Sequence, residues 1–150
     1  MTFGVDTTFL VQLEVRSAPG HAGARAWLRD VIERGSQLAV APQVLTEFMH
    51  LATDPARFER PLSMPAAAER AQAWWTAREV RQVHPDDHAV SLFFDWIGQH
   101  RLGRKRLLDT MLAATYFANG LTDVATSNAR DHSIFGVFQV HLPGAQKPAR

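Results

Sequence analysis

Thr2-Phe3-Gly4-Val5-Asp6-Thr7-Thr8 is the stretch from which the rest of the chain is read. Thr2 to Val5 is β-prone and stops on a carboxylate, and the run FLVQLEV from Phe9 to Val15 then starts a helix. A strand that leaves onto an acid and passes at once into a helix is the opening of an α/β unit. The same alternation recurs downstream. Leu38 to Ala41 is a four-residue apolar run, the pattern of a strand covered on both faces. Pro42 suits the first position of a helix, and Val44, Leu45, Phe48, Met49 and Leu51 give that helix an apolar face.

Further along, Ala22 to Glu33 has helical spacing, with Trp27 among its apolar positions. Thr53 to Pro65 holds three prolines and several charges and predicts a surface connection, with Ser63 and Pro65 opening the next helix through Trp74 and Trp75. Val80 to Val83 predicts a short strand. Pro85-Asp86-Asp87 opens another helix, with acids in its favourable first turn. Leu107 to Asn119 is a strong helix whose Leu108, Met111, Leu112, Thr115 and Tyr116 recur on one side, closed by Asn119-Gly120. Val124 to Thr126 and Gly136 to Val140 predict the last two strands, and Gly144 to Arg150 a flexible tail. Residues 1–143 therefore read as a single α/β domain with a mostly parallel sheet. Such sheets bind ligands outside the carboxyl ends of their strands.

Composition narrows the chemistry. The chain has 150 residues and no cysteine, so disulfides, thiolate metal sites and a cysteine nucleophile are excluded. Any metal must be held by carboxylates, histidines or carbonyls. A net charge of +1 gives no global field, so nucleic-acid binding needs a local patch. Lysine occurs only at 105 and 147; the arginines suit phosphate and also fit a GC-rich genome. No apolar run approaches the ~20 residues that span a bilayer, and the N-terminal stretch carries Asp6 and Glu14 in place of a basic leader. The expectation is a cytoplasmic protein with no membrane contact. The seven histidines show no HExxH spacing and read as structural or exposed, and the four tryptophans as core or interface. There is no glycine-rich phosphate loop and no GxSxG elbow.

The acids are the distinctive feature. Asp6 follows the first predicted strand, Glu47 lies on the helix after the second, Asp109 begins a long helix, and Asn128 and Asp131 follow the strand ending at Thr126. Each has an ordinary explanation: Asp6 as a helix cap, Glu47 as an exposed helix residue, Asp109 as a first-turn acid, Asn128 and Asp131 as turn formers. Their joint placement at strand exits adds a second one. Carboxylates gathered at one sheet edge repel, and hard oxygen donors in a cluster suit Mg²⁺ or Mn²⁺. A water held by such a cation can attack a phosphodiester without any nucleophilic side chain.

At these residues the sequence resembles the PIN-domain family, and within it the VapC toxins of toxin–antitoxin pairs. The resemblance rests on four ordered blocks: Val5-Asp6-Thr7; Leu38-Ala39-Val40 leading into Val44-Leu45-Thr46-Glu47-Phe48 and Ala52-Thr53-Asp54-Pro55; Asp109 with Ala113-Ala114 and Asn119-Gly120; and Thr126-Ser127-Asn128-Ala129-Arg130-Asp131. It implies a three-layer α/β/α sandwich with an acidic pocket for Mg²⁺ or Mn²⁺, RNA as substrate (tRNA or rRNA among the candidates), a homodimer, and a VapB-like antitoxin that blocks the pocket. Asp6, Glu47 and Asp109 match the family's regular acidic positions. The family often has Asp where this chain has Asn128, so Asn128 or Asp131 fills the fourth place. It tends to have Phe where this chain has His132. Thr7 and Thr126 are expected to orient carboxylates or waters.

Arg101, Arg104, Lys105 and Arg106 precede Asp109 and are placed to hold RNA phosphates, or else form a solvated basic loop. The expected activity is a metal-dependent endoribonuclease. The alternatives are a PIN-fold RNA-binding or interaction module, catalytically weak or inactive, and the same carboxylate chemistry directed at DNA or a phosphomonoester.

Overall fold

A computed structural model describes residues 1–145. Its elements alternate as the sequence predicts: β1 (Thr2–Val5), α1 (Thr7–Glu14), α2 (His21–Glu33), β2 (Gln37–Val40), α3 (Pro42–Ala52), α4 (Met64–Thr76), β3 (Val80–Gln82), α5 (Asp87–Gln99), α6 (Leu107–Ala118), β4 (Asp123–Ala125), α7 (Arg130–Ser133) and β5 (Gln139–His141). The sheet is parallel throughout, in the order β3-β2-β1-β4-β5. β1 is thus central, and its carboxyl end, which delivers Asp6, lies between those of β2 and β4. The chain reverses direction across the sheet at β1, the kind of switch point where α/β sheets place ligands.

Strand alternation divides the core. Phe3 points to the α2 side, where its ring meets Trp27 edge-on at 5.0 Å. Gly4, its neighbour, faces the other side and backs onto the ring of Tyr116 on α6. Tyr116 is fully buried, and its hydroxyl donates to the backbone carbonyls of Val5 and Ala39, the latter at 3.2 Å. One side chain of α6 thereby clamps β1 to β2 beneath the carboxyl end of the sheet. A smaller cluster of Trp96, Phe135, Ala113 and Ala114, backed by Phe138, joins α5, α6 and the segment between α7 and β5. There Trp96 and Phe135 stack at 4.5 Å.

Several local signals act as expected. Ser63 and Asp86 cap α4 and α5 by accepting from the amides of Ala66 and Ala89. Pro42 opens α3, and Gly120 takes the left-handed conformation after α6 at φ 80°. Three readings need correction, and one element went unread. Leu108 does not join the buried side of α6; it is 67% exposed, and the buried set is Thr110 and Leu112 through Tyr116. The last strand begins at Gln139 in place of Gly136, because Gly136 turns at φ 70°. The single turn of α7 went unread, being too short for a periodic signal. At the start of the expected tail, Gly144 and Ala145 complete a 3-10 turn, Pro143–Ala145, against α2; residues 146–150 lie outside the described residues. No described helix is long and apolar enough to cross a membrane.

Candidate active site

Asp6 is at once a helix cap and a candidate ligand, so its two explanations do not compete. Its Oδ1 accepts from the amide of Phe9 and from the hydroxyl of Thr8, each at 3.0 Å, and the side chain is almost wholly buried. Thr8 Oγ1 also accepts from the amide of Ser127 at 3.2 Å, which fastens the loop after β4 to the start of α1. Thr7 donates to Glu47 Oε2 at 3.0 Å across the gap to α3 and so orients a carboxylate, as expected of it. Thr126 does not: its hydroxyl closes on the backbone of Asn128, accepting from the amide at 3.0 Å. It shapes the loop and leaves the carboxylates alone. Asn128 in turn donates to Asp131 Oδ1 at 3.2 Å and accepts from the amide of Arg130 at 3.2 Å. Asn128 thus holds Asp131 in place.

Asp109 and Asp131 share one cation. Arg106 Nη1 lies 3.1 Å from Asp131 and 3.5 Å from Asp109, and Nη2 donates to the carbonyl of Arg130. Of the four basic residues read as phosphate contacts, Arg106 is therefore engaged inside the acidic cluster. Arg101, Arg104 and Lys105 stand exposed on the approach to α6, and none of the three forms an ion pair among the described residues. Despite Arg106, the Asp109 carboxyl is pushed up to about 6, chiefly by burial and next by the charge of Asp131, with a smaller push from Glu47. Acids from α3, α6 and α7 thus crowd one another electrostatically.

That crowding is the test of whether a divalent cation suits the site. Among the described residues, no three His, Asp or Glu side chains already converge as a ready ligand set. The donors are nevertheless hard oxygens under mutual repulsion, the chemistry that Mg²⁺ or Mn²⁺ relieves. On donor chemistry the residues fit.

The histidine reading missed one contact. His132 is 1% exposed and its Nε2 lies 3.2 Å from Asp6 Oδ2, across 126 residues of sequence. Its place beside Asp131, and its departure there from the family's usual Phe, were the hints along the chain. A cleft of about 830 Å³ lies elsewhere, lined by Arg16, Arg25, Arg60 and Arg70 among others, and contains none of the candidate acids.

Comparison with known proteins decides the family: the PIN domain model matches residues 4–134. The chain belongs to the PIN-domain family. It is 33% identical to the ribonuclease VapC24 of Mycobacterium tuberculosis over 141 residues, which is 93% of this chain and 94% of that relative. The PIN fold also appears in solved structures of lower identity. VapC20 of Mycobacterium tuberculosis, described as a sarcin-ricin loop cleaving toxin, superimposes with a TM-score of 0.69 at 18% identity, covering 90% of this chain and 95% of that one. VapBC-1 from nontypeable Haemophilus influenzae gives 0.65 at 12% identity, covering 94% and 97%. These likenesses bear out the α/β PIN-like sandwich expected from the sequence.

Proposed function

We propose that this PIN domain is an endoribonuclease, the toxin of a toxin–antitoxin pair, and that it cuts RNA with Mg²⁺ or Mn²⁺ held by Asp6, Glu47, Asp109 and Asp131. The observation that carries the reading is the crowding around Asp109, which shares Arg106 with Asp131 and is held near 6 by burial and by the charges of Asp131 and Glu47. Kinship to a ribonuclease over almost the full chain supports the substrate. When bound, the cation supplies a water activated for attack and neutralises charge on the phosphate being cleaved.

The protein's own groups do the positioning. Thr7 fixes Glu47, Thr8 and the Phe9 amide fix Asp6, and Asn128 fixes Asp131. Arg101, Arg104 and Lys105 stand ready to hold backbone phosphates, which sets the position of the RNA without reading its sequence. The partners are a structured RNA such as tRNA or rRNA, a VapB-like antitoxin that covers the acidic pocket, and a second copy of the chain, all in the cytoplasm.

The test is incubation of the purified chain with structured RNAs in Mg²⁺ or Mn²⁺. Cleavage is expected, and EDTA in excess of the metal should abolish it. Cleavage that continues at full rate in EDTA would overturn the metal reading. RNA binding without cleavage, unchanged by metal, would instead favour a binding module. The homodimer draws support from Val90 and Phe94, a turn apart on α5, and from Leu107 and Leu108 on α6, all exposed apolar side chains. Light scattering at micromolar concentration should give twice the 16.7 kDa chain mass; a monomer there sinks the dimer.

A further inference from the structure

We infer that His132 is a positioning residue for Asp6, donating from Nε2 to fix which lone pair that carboxylate offers to a cation. The inference rests on the metal-centre reading above and adds a residue to it.

The first observation is burial. His132 is 1% exposed on the single turn of α7, and its ring meets Phe138 edge-on at 5.8 Å. The ring has no room to swing. The second is the asymmetry of its two nitrogens. Nε2 faces Asp6 Oδ2 at 3.2 Å, whereas Nδ1 is buried and has no hydrogen-bond partner. A proton on Nδ1 would point at no acceptor, while a proton on Nε2 points at a carboxylate. The arrangement therefore selects the Nε2–H tautomer. It also argues against His132 as a ligand through Nε2. A ligating histidine carries its proton on the other nitrogen and gives it to an acceptor, and here Nδ1 has none.

The third observation is the state of Asp6. A carboxylate has about four lone-pair positions. Oδ1 already accepts from the Phe9 amide and the Thr8 hydroxyl. Oδ2 accepts from His132, which leaves one lone pair on Oδ2 unclaimed. With three donors from α1 and α7, Asp6 is held in one orientation and presents a single oxygen. Without His132, Oδ2 has no hydrogen-bond partner among the described residues, and the carboxylate loses its tie to α7. Partners of this kind behind a ligand are worth about 10–100-fold in metal affinity.

Mn²⁺ titration of the metal-free 150-residue chain by calorimetry tests this without relying on cleavage. His132→Phe keeps the ring and removes the donor, and is expected to weaken Mn²⁺ binding about tenfold or more. His132→Gln places an amide N–H near the same point and should recover most of that loss. Circular dichroism confirms that both variants are folded. A role in packing alone would lower Tm and leave Mn²⁺ affinity unmoved. Unchanged affinity in His132→Phe, or a folded His132→Gln as weak as the Phe variant, overturns the inference, as does a wild-type chain that takes up no Mn²⁺. A long-range ¹H–¹⁵N spectrum of the metal-free chain should show the proton on Nε2; a proton on Nδ1 also overturns it. If the wild type binds Mn²⁺ but cuts no RNA, the nuclease reading fails while the titration still judges His132.

Discussion

Asp109→Asn is expected to make the protein more stable and nearly inactive. The loss of activity follows from the proposed site: removing one charged oxygen donor from a catalytic cation costs several kcal/mol of transition-state stabilisation, so RNA cleavage should fall by about a thousandfold or more. The gain in stability follows from the neighbours. In the folded chain the Asp109 carboxyl is pushed up to about 6, first by burial and then by Asp131, against 3.8 for the free group. A folded-state value above the unfolded one means that the native chain binds the proton more tightly. The favourable contribution of protonated Asp109 is complete below about 4 and is lost as pH rises toward 6. Above that, wild type carries an ionised carboxylate in an unfavourable place, and Asn does not. Metal-free Asp109→Asn should therefore melt above wild type at pH 7–8, and the gap should close as pH falls toward 4. Adding Mn²⁺ should narrow or reverse the gap by stabilising wild type preferentially. Thermal melts across pH, with and without metal, check the pattern. A variant that melts below wild type at pH 8 without metal would contradict the crowding of Asp109, and one that still cuts RNA at a wild-type rate would remove it from the site.

Gly4→Ala is the second large effect, and it acts on the fold. At most strand positions this change is harmless, because Ala adopts extended backbone readily. Here an ideal Cβ would lie 2.7 Å from Tyr116 Cδ2 and 2.9 Å from Cε2. Neither side can yield. Gly4 is locked between β2 and β4, opposite Ala39 and Val124. Tyr116 is fully buried, with its hydroxyl tied to two carbonyls. Overpacking of this kind costs about 1–3 kcal/mol and at times more. For a domain of this size each kcal/mol moves Tm by about 2–4 °C, so a fall of roughly 5–10 °C is expected. Tyr116→Phe separates ring from hydroxyl: it keeps the ring and removes only the donor, and should cost about 1–2 kcal/mol. A Gly4→Ala variant that melts within a degree of wild type would mean that Tyr116 is not pinned as described.

Much of this protein is legible without coordinates because the signals are local. Strand-then-acid at Val5-Asp6, the apolar run into Pro42, the caps at Ser63 and Asp86 and the stop at Asn119-Gly120 each depend on a few adjacent residues. Backbone sterics and hydrogen-bonding needs are much the same wherever such residues occur. Asp6, Glu47 and Asp131 each come after a strand and Asp109 opens a long helix, which is why the four could be proposed together from the sequence. What the sequence could not reveal were the pairings that depend on which faces meet. Arg106 reads as a loop cation and is engaged by Asp109 and Asp131. Thr126 reads as an orienting hydroxyl like Thr7, yet closes on its own loop. Leu108 fits the helical period but falls where no described element covers it. His132 carries no motif and meets Asp6 only because β4 pairs beside β1 and α7 turns back over the strand ends. Sequence alone determined most of the elements and singled out the candidate acids, since those follow from neighbours along the chain. Tertiary structure alone decided what holds each acid, since a hydrogen bond across 126 residues exists only once the sheet has closed.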